Sequence, residues 1–305
     1  MPLQEKIGVV TITFNGEDVI DGFMDSINQQ DYTNRILYIV DNHSKDQTIS
    51  KIESNYSPSD TCIIRNSFNN GVAGGNNQGI KRALEDGCEY IILINNDTEF
   101  EPTLFSKLYE SSKKTGYSVI VPKMMYYSEP DRLWFAGGGF NKRMGYMNYH
   151  IGMGEKDMNQ YGNRLISYAP TCCALIHKSV FDDIGLMDEK YFVYFDDTDF
   201  WFRMLKDGRH KMFYISEVLF FHKVGSLTKS KTGTRDKFTF GDFTIKFSTR
   251  NRVYYLRKQK TLLAYLNIAW FWLRINLRFF FSGKYTVNFK TWRLIQRSLL
   301  EGIKI

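Results

Sequence analysis

Ile7–Phe14 is a nearly continuous apolar, β-branched run, the pattern of a strand buried on both faces of a parallel sheet. Asn15-Gly16 ends the run, and Glu17–Gln29 switches to helical spacing with Val19, Ile20, Phe23, Met24 and Ile27 on one side. The alternation continues. Ile36–Val40 predicts a strand, Lys45–Asn55 a helix, Thr61–Ile64 a short strand, Ala73–Asp86 a helix and Tyr90–Ile94 a strand. Units of this length predict right-handed βαβ crossovers and an open α/β fold with a mostly parallel central sheet flanked by helices. Ligands bind beyond the carboxyl ends of such strands, which is where Asn15, Asp41 and Asn95–Asp97 fall.

From Lys123 to Ile176 the pattern is shorter and strand-like, with a glycine cluster at Gly137–Gly139, and it reads as an antiparallel half that receives a second substrate. Ser179–Gly185 predicts a short helix and turn, Asp199–Gly208 a helix stopped by glycine, and Met212–Phe221 a strand ending at His222. Lys229–Lys237 is polar and basic and is expected to be mobile.

The 305 residues suffice for one large domain or two smaller ones, and an apolar content of 43% argues against disorder. Cys62, Cys88, Cys172 and Cys173 show neither a Cys-x-x-Cys spacing nor a zinc pattern, so they read as reduced thiols of a cytosolic protein. The N-terminal residues lack the apolar core of a signal peptide, and a cytoplasmic location is expected. Charge changes the picture more. From Arg250 onward twelve Lys/Arg face only Glu301, a balance of +11, so the first 249 residues carry −4 of the total +7. A basic, aromatic tail on a mildly acidic body suits an anionic membrane surface. Thr261–Phe281 has about the length of a membrane span, but Asn267, Arg274, Asn276 and Arg278 interrupt it. A helix lying in the membrane interface is expected, with Trp292, Arg293 and Arg297 continuing the theme. Packing on the body, or on a second subunit of a homo-oligomer, is the alternative. Nucleic acid is not an expected partner.

The candidate chemistry centres on Tyr191–Arg203, YFVYFDDTDFWFR, which sets Asp196, Asp197 and Asp199 among aromatic rings. Neighbouring carboxylates raise one another's pKa, which suits a general base, although Asp199 also fits a plain helix start. Asn95-Asn96-Asp97 ends a strand and offers oxygen donors for Mg²⁺ or Mn²⁺, or forms only a turn. Asp41-Asn42-His43-Ser44 can hold a base or ribose, or form an Asx-turn. Asn69–Asn76, with Asn70, Gly71 and Asn76, is a Gly/Asn stretch entering a helix where backbone can approach a nucleotide phosphate, though it is no Walker loop. His222 can be a further metal ligand. No Gly-x-Ser-x-Gly elbow is present, which disfavours an acyl-transfer hydrolase.

The ordered set VTITFN, VDNHSKD, NNGVAGGNN, ILINND, GLMDEKYFVYFDDTDFWFRMLKDG and HKVGS resembles the inverting family-two glycosyltransferases of the GT-A fold over roughly residues 7–256. RNRVYY at Arg250–Tyr255 is similar to their rhamnosyltransferase-like branch. The resemblance implies that Thr13, Asn15 and Asp41 hold the nucleotide. Asn95-Asn96-Asp97 would match the family's Asp-x-Asp, with Asn95 replacing the first Asp and Asp97 as metal ligand. Asp197 would be the catalytic base, with Asp196 and Asp199 as supporting carboxylates. His222 would reach the metal or the diphosphate, and Arg250 the diphosphate or the acceptor. The organisation implied is a catalytic domain over residues 1–256, its nucleotide-sugar half about 1–120 and acceptor half about 121–256, followed by an amphipathic helical extension over 257–305. The implied activity is transfer of L-rhamnose from dTDP-rhamnose to a lipid-linked saccharide in bacterial surface-polysaccharide synthesis, with Mn²⁺ or Mg²⁺, by an enzyme peripheral to the inner face of the cell membrane. A UDP-sugar-dependent galactosyl- or glucosyltransferase is the alternative, ahead of a nucleotidyltransferase or a non-catalytic binding module.

Overall fold

The computed structural model describes residues 4–55, 57, 59–224, 241–281 and 288–305, so residues 229–237 lie outside it. β1 (Ile7–Thr13), α1 (Ile20–Asn28), β2 (Arg35–Asp41), α2 (Thr48–Asn55), β3 (Thr61–Arg65), α3 (Gly71–Glu85) and β4 (Tyr90–Ile94) are the alternating units that the periodicity predicts. β5 (Thr98–Phe100), α4 (Leu104–Thr115), β6 (Val119–Pro122), β7 (Met124–Tyr126), β8 (Leu133–Phe135), β9 (Gly138–Asn141) and β10 (Met147–His150) follow. Next come β11 (Arg164–Ile166), β12 (Cys173–His177), α5 (Lys178–Ile184), α6 (Asp196–Asp207), β13 (Met212–Ile215) and β14 (Phe220–His222). Three helices end the chain: α7 (Asp242–Lys258), α8 (Leu262–Phe281) and α9 (Phe289–Lys304).

The main sheet runs β11-β13-β6-β12-β4-β1-β2-β3. β1 is parallel to both β2 and β4, β2 is parallel to β3, and β13 is parallel to β6, while β12 runs antiparallel between β4 and β6. β4 is buried throughout, which is why Tyr90–Ile94 reads as an unbroken apolar run and not as an alternation. The helix α3 lies directly on β1. An added Cβ at Gly75 would sit 2.7 Å from Ile12 Cγ2, so a larger residue there would lift the helix off the sheet. A second sheet, β5-β14-β7-β8, and the β9–β10 hairpin stand at the end of the body. All four cysteines are free thiols, as expected.

Beyond shifts of up to three residues at helix ends such as those of α1 and α2, two departures from the expected boundaries bear on the site. Met212–Phe221 is not one strand: β13 and β14 belong to different sheets. The break falls at Ser216, whose backbone N–H and hydroxyl both donate to Asn163 Oδ1 (2.8 and 3.0 Å), and Val218–Phe221 conceals it by restoring apolar character. The second departure is α6, which begins at Asp196 rather than Asp199. All three carboxylates therefore occupy its first turn, where the helix dipole favours negative charge.

The C-terminal helices pack on one another and on the body. α9 lies along α7 at Gly302, where an added Cβ would collide with the Arg250 carbonyl. α7 runs unbroken across residue 256 and holds the segment before α6, as described next.

Candidate active site

A cavity of about 890 Å³ opens beyond the carboxyl ends of β1 and β4. Its floor is Thr13, Asn95 and Asn96, and Asn96 Nδ2 donates to the buried Thr13 hydroxyl at 3.0 Å. At the end of β2, Asp41 accepts the Ser44 N–H through both oxygens at 3.1 and 3.2 Å, which makes the Asx-turn real. Asn15, in the left-handed region at φ +51°, accepts the Lys45 N–H at 2.8 Å and so ties the same turn to β1. The neighbour of Asp41, Asn42, faces the cavity and donates to the Gly71 carbonyl at 2.9 Å.

The Gly/Asn stretch is the first turn of α3 and not an open loop. Gly71, at φ +74°, lines the cavity and lies against Phe192, whose backbone an added Cβ would strike. Asn70 is the N-cap position, with no side-chain cap bond. Asn76 points away from the cavity, its amide 3.8 Å from Met187 Sδ, so it fastens α3 to the segment before α6. Arg250 also lies outside the cavity wall. Its guanidinium donates to the Lys190 carbonyl and packs over Phe247.

Asp196 and Asp197 both line the cavity, at the start of α6. Asp197 Oδ2 accepts the Tyr168 hydroxyl at 2.9 Å, and its Oδ1 accepts the Thr198 N–H at 2.6 Å and hydroxyl at 3.1 Å. Burial raises the Asp197 pKa above the ordinary carboxylate value, while these hydrogen bonds pull it back down. Asp196 is pushed up to about 8, first by burial and then by the negative charge of Asp197. The two carboxylates therefore titrate as a pair. The hydrogen bonds from Tyr168 and Thr198 favour the charge on Asp197. Asp199 faces away from the cavity: it accepts from Tyr191 (3.1 Å) and pairs with Arg203 (3.0 Å) and Lys258 (2.6 Å), fastening α6 to α7.

The segment leading into Asp196 is strained. Phe192, Tyr194 and Phe195 have φ of +63°, +64° and +68°, which L side chains adopt at a cost. The buried amide of Asn251, on α7, donates to the carbonyls of Tyr191, Val193 and Tyr194 at 2.7, 2.7 and 3.0 Å. Tyr168 and Asn251 are functional candidates that local sequence patterns did not single out, although Asn251 stands inside RNRVYY.

Asp97 and His222 meet where β14 pairs with β5. Both are buried, and Asp97 Oδ1 lies 3.3 Å from His222 Nε2. His222 lines the cavity floor and Asp97 lies behind it, a carboxylate and imidazole whose donors suit a divalent cation. His222 Nδ1 has no hydrogen-bond partner among the described residues, and the ring stands edge-to-face with Trp134. Cys172, on the cavity wall, has its thiol pKa raised by burial and then by the charges of Asp97 and Asp197, so the two carboxylates act on one point. Asp183, Asp207 and His210 also converge elsewhere, but the Arg209 guanidinium bridges both of those carboxylates, and the group reads as an ion-pair network.

The remaining wall comes from the C-terminal helices: Phe243 and Ile245 of α7, Phe271, Ile275 and Arg278 of α8, and Ile295 of α9. Periodicity along the chain gives no hint that the tail reaches the site.

Comparison with known proteins adds the following. The sequence model of glycosyl transferase family 2 matches residues 8–185. The low-salt glycan biosynthesis hexosyltransferase Agl10 of Haloferax volcanii is 26% identical over 172 residues, which are 56% of this chain and 53% of that protein. This chain thus spans about half the length of that relative. The dTDP-rhamnosyl transferase RfbF of Shigella flexneri is 24% identical over 232 residues, 73% of this chain and 71% of that protein. Among solved structures, the mannosyltransferase PcManGT of Pyrobaculum calidifontis, in complex with GDP-Man and Mn²⁺, superposes with a TM-score of 0.54 at 12% identity. The superposition covers 99% of this chain and 87% of that one, a likeness of fold.

Proposed function

The chain belongs to glycosyl transferase family 2 and has its GT-A fold, and on that premise we propose that it is a metal-dependent, inverting hexosyltransferase using a nucleotide-sugar. The observation that carries the reading is a pair of acidic sites at one cavity: Asp97, buried behind the lining residue His222 at the floor, and Asp197 on the wall, held by Tyr168. Transfer needs a base for the acceptor hydroxyl and stabilisation of the departing diphosphate, and these two sites supply one group for each.

In this mechanism Thr13, Asn95 and Asn96 form the nucleotide end with Asn42 and Gly71 beside them, and Asn15 and Asp41 shape it from the adjoining turn. Asn70, Asn76 and Arg250 do not line the cavity, and Asn76 and Arg250 act through the segments they brace. Asp97 and His222 would hold Mn²⁺ or Mg²⁺, which when bound supplies positive charge for the diphosphate. Asp197 accepts the proton of the acceptor hydroxyl as its oxygen bonds to the anomeric carbon. The bond from that carbon to the diphosphate oxygen breaks, and the nucleoside diphosphate leaves with the electron pair. Attack opposite the leaving group inverts the anomeric centre in one displacement. Asp196 keeps its proton near neutral pH, which leaves the charge on Asp197.

L-Rhamnose from dTDP-rhamnose is the donor we assign, supported by RNRVYY and by the RfbF relative. A lipid-linked saccharide is the acceptor we assign, supported by the apolar wall that α7–α9 contribute. The same basic helices support a peripheral place at the inner face of the cell membrane. The test is a panel of dTDP-, UDP- and GDP-sugars with Mn²⁺, scored by thermal shift and by product. A shift and product with dTDP-rhamnose alone are expected. A response to a UDP-sugar alone would reassign the donor, and no response to any member would overturn the reading.

A further inference from the structure

The helix α8 has two unlike faces. At 3.6 residues per turn, Leu266, Trp270, Leu273, Leu277 and Phe280 fall within an arc of about 80°. All five are 41–66% exposed. Ile275 lies opposite, buried, and with Phe271 it lines the catalytic cavity. Arg274 and Arg278 fall between the two faces, both exposed, and Arg278 also borders the cavity. No acidic residue occurs on α8, and residues 257–305 carry ten Lys/Arg against Glu301 alone. Among the described residues no helix is long and apolar enough to cross a membrane.

We infer that α8 lies in the interface of an anionic bilayer with its outer arc in the acyl region, and that its inner face is the wall along which a lipid-borne acceptor reaches Asp197. The second clause rests on the transferase reading above; the first does not. An apolar arc bordered by cations along one side suits an interfacial helix, with Trp and Leu inserted and Arg reaching the headgroups. Anionic lipid supplies the negative charge that Arg274 and Arg278 lack on their own helix. The α8 of a second copy would bring no acid to meet them. Arg278 at the cavity rim suits the phosphate oxygens of a lipid-diphosphate headgroup, which a guanidinium grips in a two-point fashion. One helix then serves both surfaces, so the acceptor's sugar enters the cavity while its apolar chain stays in lipid.

The test uses the full chain and vesicles of phosphatidylcholine with or without phosphatidylglycerol. The wild type should sediment with phosphatidylglycerol vesicles at least tenfold more than with phosphatidylcholine alone. Leu273→Glu/Leu277→Glu should lose that binding at least tenfold while keeping its thermal shift with the donor nucleotide-sugar. Transfer to an acceptor embedded in vesicles should fall in parallel, and transfer to a short-chain, water-soluble acceptor should change less than twofold. Independently of any variant, brominated acyl chains should quench wild-type tryptophan emission. Equal sedimentation of variant and wild type, or no quenching, overturns the inference. A wild-type dimer that the double substitution splits, with no vesicle binding in either, assigns the arc to a second copy and also overturns it. Vesicle binding without transfer to either acceptor leaves the interfacial helix standing and removes the transferase reading.

Discussion

The Tyr168 hydroxyl donates to Asp197 Oδ2 at 2.9 Å, from a segment 29 residues upstream of the carboxylate it holds. Burial raises the Tyr168 pKa well above its ordinary value, so the phenol stays a donor throughout the working range. This hydrogen bond favours the charged form of Asp197 and opposes the upward pull of burial. Tyr168→Phe removes it, so the Asp197 pKa rises further. A base must be unprotonated to act, so the acid limb of the kcat/KM profile should move to higher pH. A hydrogen bond to a charged group is worth about 1.5–3 kcal/mol, which sets a shift of about one to two pH units. A lower Tm with an unmoved acid limb would show that Tyr168 only packs.

Asp197→Asn keeps the shape of the wall and removes the proton acceptor. Transfer should fall by a factor of about 10²–10⁴, the usual contribution of a positioned general base. Donor affinity, measured by titration with the nucleotide-sugar, should stay within a few-fold, because the proposed role of Asp197 is toward the acceptor hydroxyl. Near-normal turnover would hand the base role to Asp196.

Asp196 gives a stability prediction with a defined sign. Its pKa is about 8 in the folded chain against 3.8 for an ordinary Asp, so between those values the folded state binds the extra proton. Its contribution is fully present below pH 3.8 and is lost as pH rises through about 8. Asp196→Asn has no proton to lose. Its Tm should therefore exceed that of the wild type at pH 8 and converge on it at pH 4, with a slope of at most about 1.4 kcal/mol per pH unit between. A constant Tm difference across that range would mean that Asp196 is not held protonated.

The βαβ half was legible because its signals are local: a strand buried on both faces reads as an apolar run, and an amphipathic helix repeats every three to four residues. The end of β4 at Asn95–Asp97 follows from the same pattern. What was not legible depends on partners far along the chain. Nothing near Tyr168 announces Asp197, and Asn251 meets Tyr191 across 60 residues. Asp199 looked like its two neighbours in sequence, yet it stands about 200° around α6 from Asp197 and meets Arg203 and Lys258 instead of the cavity. The glycines of α3 suggested a phosphate loop, but Gly75 serves the close approach of helix to sheet. The apolar wall from α7–α9 is a tertiary fact with no local signature.

Asn251 tests whether the strained segment before α6 is held by α7. Asn251→Leu keeps most of the volume and removes the donors to three carbonyls. Leaving buried acceptors unmade costs about 1–3 kcal/mol each, without full additivity, so a loss of about 2–4 kcal/mol is expected in denaturant unfolding. Asp196 and Asp197 directly follow the left-handed Tyr194 and Phe195, so kcat should fall together with stability. Wild-type kcat in a destabilised variant would separate the clamp from catalysis.

The metal reading rests on Asp97 and His222, and it predicts a graded response because the chain offers few protein ligands. Asn95 stands where the family's pattern has a first Asp and brings no charge. The cation would then depend on the donor diphosphate for much of its coordination, so metal and nucleotide-sugar should bind cooperatively. The thermal shift from dTDP-rhamnose should be larger with Mn²⁺ than the sum of the shifts from each alone. EDTA should abolish transfer, and Mn²⁺ or Mg²⁺ should restore it. His222→Ala should weaken metal-dependent donor binding by at least about 10–100-fold, the usual cost of losing even a partner that orients a metal ligand. Asp97→Ala should remove the Mn²⁺ response altogether, since it takes away the carboxylate that faces His222. Transfer that is indifferent to EDTA in the wild type would remove the cation from the mechanism and leave Asp97 and His222 as a buried pair fastening β14 to β5.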